Sequence, residues 1–208
     1  MLRTGDQYRD SLCDGRDVWV DGKKVEDVTS HPVFKPIVDI RARIYDMAHE
    51  EKFKEQLTYI DETSGEKNCI GSKLPKTKSD WLSKRQAIKT IMYEIGAVVT
   101  RVGDETVGEM WSLYDGTDIL NKVDPRFGDN IANHIQKVLE SDTFHVSGNT
   151  DPKGDRSKLP QEQDPDMLLH AVEETDKGIV VRGAKYETAA AYANQAFVKP
   201  TIANWGDQ

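Results

Sequence analysis

Apolar residues recur at helical spacing through roughly the first 140 positions. Beyond that point the pattern gives way to short β-prone runs broken by Pro and Gly. That change of period predicts an α+β chain, with helices first and strands after them. Thr4 with Gln7 three residues later forms a capping box, and Tyr8 and Leu12 follow on one face. Residues 17–25 read as a small β-hairpin, with Asp21-Gly22 as its type I′ turn. After His31-Pro32, the spacing of Val33, Ile37, Ile40, Ile44 and Met47 predicts a helix, and Phe53 and Leu57 continue into another turn. Residues 61–79, rich in Ser, Gly, Lys and Thr, read as a loop. Ser79-Asp80 then caps a long helix whose stripe is Leu82, Ile88, Ile91, Met92, Ile95, Val98, Val99 and Val102, with Gly103 as its break. A further helix carries Val107, Met110, Trp111 and Tyr114. The last runs from Asp129 through Ile131, Ile135, Val138 and Leu139.

From residue 141, Thr143, Phe144 and Val146 suggest a strand that enters the loop Thr150-Asp-Pro-Lys-Gly-Asp-Arg-Ser157. Pro152 fixes φ there and Gly154 can supply a positive φ. Lys153, Arg156, Thr150 and Ser157 suit an extended anionic ligand such as a phosphate-bearing cofactor, although composition alone fits a solvated loop equally. Pro160 and Pro165 exclude regular helix from 158–166. Leu168–Glu174, a turn at Asp176-Lys-Gly178, and Ile179–Tyr186 read as strand, turn and strand, with Ala196–Ile202 as the last strand. The expected division is therefore a helical domain over 1–140 and a β-domain over 141–208.

Several classes are excluded. The net charge of -8 leaves no basic surplus for sequence-independent nucleic-acid binding. No apolar run is long enough for a membrane span, and the N-terminus has no signal-peptide core. Cys13 and Cys69 are isolated, which fits a reducing cytoplasm, and His31, His49, His134 and His170 lack metal-ligand spacing, so no metal is expected. With no GxGxxG and no P-loop, any flavin must be held outside a Rossmann fold. Trp111, Tyr114 and Met110 read as core packing. Asp104, Glu105, Glu109, Glu173 and Glu174 read as solvated faces.

The pair TDPKGDRS (150–157) and GIVVRGAK (178–185), with Asp164-Pro-Asp166 between them and Lys199–Ala203 after, resembles the 4-hydroxyphenylacetate 3-hydroxylase family. That family holds two-component flavin monooxygenases of phenols and the 4-hydroxybutyryl-CoA dehydratases; the loop wording is closest to the dehydratases. The resemblance runs over essentially the whole chain, from Arg3-Thr-Gly-Asp-Gln-Tyr8 onward. It implies an acyl-CoA-dehydrogenase-like architecture: this helical part, a middle β-barrel of which the chain holds only about half, and a C-terminal helical bundle. It also implies FAD, held by Asn149, Thr150, Asp151, Lys153, Gly154, Asp155, Arg156 and Ser157 and by a strand around Thr188.

The resemblance separates the two chemistries. The cluster cysteines of the dehydratases fall on Val98 and Val102, so no iron-sulfur cluster is expected. The Arg that holds phenol and flavin in the monooxygenases matches Arg101, while its Tyr partner falls on Glu105. Their strand His aligns with Ser147; His145, two residues earlier, shares its strand face. Arg101 as a helix C-terminal cation and His145 as a half-buried strand His remain the plainer alternatives. The expected function is the N-terminal portion or subunit of a flavin-dependent oxidoreductase, most simply a two-component monooxygenase of an aromatic or related small substrate, using FADH2 from a separate reductase. It would be oligomeric and cytoplasmic, completed by a C-terminal half or partner subunit. A cluster-free acyl-CoA dehydratase/isomerase-like flavoenzyme and a non-catalytic assembly subunit are the alternatives.

Overall fold

The computed structural model describes residues 2–97 and 104–199. It divides into two compact units, Met1–His145 with Ala191–Gln195 and Val146–Ala190 with Ala196–Gln208. In the first, helix α1 (Gly5–Asp10) starts at the Thr4–Gln7 capping box. It lies so close to α2 (Lys35–Met47) that a Cβ on Gly5 would fall 2.7 Å from the Ala42 carbonyl oxygen, which leaves room for glycine alone. Strands β1 (Val18–Val20) and β2 (Lys23–Val25) pair antiparallel, and both turn residues, Asp21 and Gly22, have the positive φ of a type I′ turn.

Helix α2 buries Val38, Arg41, Ala42, Ile44, Tyr45 and Met47, while Val33 precedes the helix and is 58% exposed. The core face is therefore rotated from the one that Val33, Ile37 and Ile40 suggested. The cause is Arg41, whose guanidinium lies 4.8 Å from the Tyr45 ring centre and 4.2 Å from that of Phe144, so a charged residue occupies a core position. Helix α3 (Lys54–Leu57) follows, with Phe53 and Leu57 buried.

Residues 61–79 are not all loop. Strands β3 (Thr58–Ile60) and β4 (Lys67–Cys69) form an antiparallel hairpin, and Ile70–Ser72 make a 3-10 turn. The polar turn is held by Asp61, whose carboxylate accepts from the Ser64 amide and hydroxyl. Local turn chemistry, rather than apolar alternation, builds this hairpin.

Helix α4 (Lys78–Glu94) is capped by Thr77, whose hydroxyl accepts from the Asp80 amide while the Asp80 side chain answers the Thr77 amide. Leu82, expected in its stripe, is 54% exposed, and Lys84 takes a buried position instead, donating to the Gly71 and Lys73 carbonyls at 2.9 and 3.0 Å. The helix ends well before Gly103, because Gly96 and Ala97 both adopt positive φ. Val98, Val99, Arg101, Val102 and Gly103 lie outside the described residues. Helix α5 (Asp104–Asp115) buries Met110, and the Trp111 indole N–H donates to the Ser72 carbonyl. Helices α6 (Thr117–Val123) and α7 (Arg126–Ser141) complete the layer; α7 begins ahead of Asp129 because the Asp124 carboxylate receives the Arg126 amide. One apolar cluster joins Ile44, Met47, Phe53, Leu57, Ile70, Ala87 and Ile91. No helix among the described residues is long and apolar enough to cross a membrane.

The chain leaves α7 through a left-handed Asp142 and enters β5 (His145–Gly148), which pairs with β8 (Gln195–Val198). In the second unit, β6 (His170–Thr175) and β7 (Gly178–Arg182) form an antiparallel hairpin with Glu174 opposite Ile179. Strand β7 is shorter than Ile179–Tyr186, because Gly183 turns with φ +120 and a Cβ there would meet the Leu168 carbonyl oxygen at 2.4 Å. The described strands form four two-stranded sheets, so the content is mixed α and β. The end of the expected strand Ala196–Ile202 lies outside the described residues.

Candidate functional site

The residues expected to bind flavin, Asn149 to Ser157, are held in the second unit by the chain that follows them. Thr150 bridges to Tyr186, whose amide donates to the Thr150 carbonyl at 2.8 Å. Beside it the Lys185 ammonium meets the Asp151 carboxylate at 2.5 Å, with the two side chains 7% and 20% exposed. Asn149 accepts from the Ser147 hydroxyl at 2.6 Å. The loop then turns at Gly154, where φ is +51. Gln163 closes it from the far side: its carboxamide oxygen accepts from the Asp155 amide, and its N–H groups donate to the Asp155 and Lys158 carbonyls. The Asp155 carboxylate accepts from the Ser157 amide and hydroxyl, and these bonds hold it below the usual carboxylate range.

This leaves Lys153 and Arg156 exposed on a loop whose backbone is pinned at both ends. Fixed backbone with free-standing cations is the arrangement that receives an extended anion. The structure thus brings Asn149 through Ser157 together in one loop. Thr188 is separate: it sits in a turn rather than on a strand, with its hydroxyl against Glu187.

A cavity opens within the first unit, walled by Ile44, Leu57, Ile70, Ile91 and Val138. Into these apolar walls project Arg41, Cys69, Lys84, Asp142 and His145. Burial pushes the Cys69 thiol up to about 12, so it is a neutral thiol near pH 7. Burial also raises the Asp142 carboxyl, although the Arg3 amide donates to it. His145 is 1% exposed, and burial, followed by a favourable hydrogen bond to the Gln195 oxygen and an unfavourable field from His134, leaves its affinity for a proton below that of an ordinary His. Its Nε2 lies 2.6 Å from the Gln195 carboxamide oxygen. Imidazole, thiol, carboxyl and ammonium groups inside apolar walls are what a proton-handling ligand site requires.

His145 is therefore far more buried than a half-buried strand residue. Arg101 lies outside the described residues. No group of three or more His, Cys, Asp and Glu able to hold a metal occurs among the described residues. Four participants escaped the sequence. Lys185 stood inside the GIVVRGAK motif and was open to recognition as the loop's counter-ion. Gln195, Arg41 and Lys84 take their places through long-range packing, for which no local pattern exists.

Comparison with known proteins gives a consistent picture. The family model described as 4-hydroxyphenylacetate 3-hydroxylase N terminal matches residues 4–208. The oxygenase component of 4-hydroxyphenylacetate 3-monooxygenase from Thermus thermophilus is 31% identical over 203 residues, covering 97% of this chain and 41% of the relative. A 4-hydroxybutyryl-CoA dehydratase/vinylacetyl-CoA-Delta-isomerase from Clostridium aminobutyricum is 28% identical, covering 98% of this chain and 42% of the relative. Among solved structures, the oxygenase component HpaB of 4-hydroxyphenylacetate 3-monooxygenase complexed with FAD superposes with a TM-score of 0.84 at 31% identity, over 95% of this chain and 41% of that one.

Proposed function

The chain belongs to the 4-hydroxyphenylacetate 3-hydroxylase family, and on that premise we propose that it is the N-terminal portion of a two-component, FADH2-using monooxygenase of an aromatic or related small substrate. It spans less than half the length of the curated relatives it matches. The remaining barrel strands and the helical bundle of an acyl-CoA-dehydrogenase-like oxygenase are supplied by a continuation or a partner, and reduced flavin by a separate reductase. The protein works as an oligomer in the cytoplasm, where the free thiols of Cys13 and Cys69 persist.

The observation that carries this reading is the pinned loop from Asn149 to Ser157. Its fit to FAD rests on charge and backbone: the exposed Lys153 and Arg156 offer donors to a diphosphate, and Gly154, with φ +51 and with Gln163 and Met167 packed where a Cβ would stand, sets the turn that presents them. The Lys185–Asp151 pair and Gln163 keep that loop in one conformation before the cofactor arrives. When bound, reduced FAD supplies the electrons that activate dioxygen. Arg101 matches the Arg that holds the phenol in the family's monooxygenases, and His145 exchanges a proton with the substrate from the wall of the apolar cavity.

Val98 and Val102 stand where the dehydratases of this family carry thiolates, so the protein works without an iron-sulfur cluster. The dehydratase-like loop wording supports one second reading, a cluster-free flavoenzyme acting on an acyl-CoA thioester. Product analysis separates the two. The complete assembly, given FADH2, dioxygen and a panel of phenols, should add one hydroxyl group to a ring. Conversion of an acyl-CoA thioester with no hydroxylation of any phenol would overturn the reading in favour of the second.

A further inference from the structure

Gln195 stands where β8 begins beside β5, and its carboxamide oxygen is 2.6 Å from Nε2 of His145. The Thr143 hydroxyl lies 3.4 Å from the same nitrogen. His134 of α7 meets the ring edge-on with centroids 5.9 Å apart, and Arg41 of α2, Lys84 of α4 and Asp142 are the charged groups of the cavity that His145 lines. At 1% exposure, His145 has no solvent to replace a lost partner, so a change of protonation there must be met by protein groups.

The two protonation states make different demands. Both nitrogens of an imidazolium donate, whereas a neutral imidazole has one donor and one acceptor. A carboxylate partner serves only the donor. A carboxamide serves both, because half a turn about its last bond exchanges the accepting oxygen for the donating N–H2. We propose that Gln195 is a positioning residue whose carboxamide keeps Nε2 of His145 hydrogen-bonded in both protonation states, and so holds the ring in place while a proton comes and goes. The inference rests on the reading of His145 as a proton-exchanging group. Its balance of forces agrees: the Gln195 hydrogen bond and a backbone bond at Thr143 favour the charged ring, while burial, His134 and Arg41 disfavour it.

The test follows the His145 ring by NMR, using histidine labelled with 13C at Cε1 in the chain within its native assembly. The signal is assigned by its loss in His145→Gln. Gln195→Glu should strengthen proton binding at His145 at least tenfold, because the negative charge of a carboxylate favours the imidazolium. Gln195→Met, of similar length and without a polar end, should weaken it and split or broaden the signal as the ring loses its anchor. Identical midpoints and shifts in wild type and both variants would overturn the proposal. If a variant does not fold, the wild type carries the test: in 15N-labelled protein, a hydrogen bond between Nε2 and the carboxamide, in either direction, detected above and below the His145 midpoint supports it, and its absence on one side refutes it. Catalysis is then separable. Altered NMR midpoints with an unchanged pH profile of turnover would uphold Gln195 as a positioning residue and remove His145 from the reaction.

Discussion

Lys185 and Asp151 form an ion pair with 2.5 Å between Nζ and Oδ1, and the Lys side chain is 7% exposed. It ties the chain just beyond β7 to the start of the loop that carries Lys153 and Arg156. Removing one partner of such a pair leaves a largely desolvated charge behind. Lys185→Met should therefore cost about 3 kcal/mol of stability, the low end for breaking a buried pair, since Asp151 keeps some access to water. Chemical denaturation checks this, and protease cleavage within 151–158 should become faster in the same variant. Unchanged stability and cleavage would show that the pair does not hold the loop.

The exposed guanidinium of Arg156 is the loop's strongest candidate for the cofactor diphosphate. Arg156→Ala should weaken FAD binding by roughly 1.5–3 kcal/mol, the range of a charge-assisted hydrogen bond, and leave folding stability nearly untouched. Flavin titration of wild type and variant decides. Equal affinities would remove Arg156 from the site.

Stability should fall as pH drops through the histidine range. His145 and His134 both bind protons more weakly in the folded state than the ordinary value of 6.5, mainly through burial. Below about that pH the unfolded chain binds more protons than the folded one, so stability is full above it and is lost as pH falls through the depressed folded values. Asp142, raised by burial, acts in the opposite sense at acid pH, since its stabilising contribution is present only where its carboxyl is protonated. Comparing denaturation midpoints of wild type and His145→Gln between pH 5 and 7.5 isolates the histidine. The variant should have the shallower slope, and parallel curves would contradict the assignment.

Much of the helical layer was legible because its signals are local. The Thr4–Gln7 capping box and the Asp21-Gly22 turn depend on residues within four positions of each other, and both stand as read. The errors have one physical source. Arg41 and Lys84 occupy core positions because aromatic rings and free carbonyls reach them from distant parts of the chain, so the apolar pattern around them misplaced the buried face of α2 and of α4. The end of α4 was misjudged for a related reason: the apolar spacing persists through Val98 and Val102, but positive φ at Gly96 and Ala97 stops the helix first. At the candidate site the loop was visible as a motif, whereas the contact between His145 and Gln195 joins residues fifty positions apart.

Valine at positions 98 and 102 leads to a compositional prediction. Protein purified without oxygen should contain no stoichiometric iron or acid-labile sulfide, because thiolates are the ligands such clusters need. Iron and sulfide analysis alongside the visible spectrum tests it. Several irons per chain with matching sulfide would reverse the choice between the two chemistries.

The binding of FAD is tested most directly by an equilibrium titration of this chain assembled with its C-terminal continuation or partner. Saturable binding of about one FAD per assembled chain is expected, with the Arg156→Ala assembly binding at least tenfold more weakly, in line with a lost charge-assisted hydrogen bond. A folded, complete assembly that shows no saturable flavin binding would contradict the proposed function at its root.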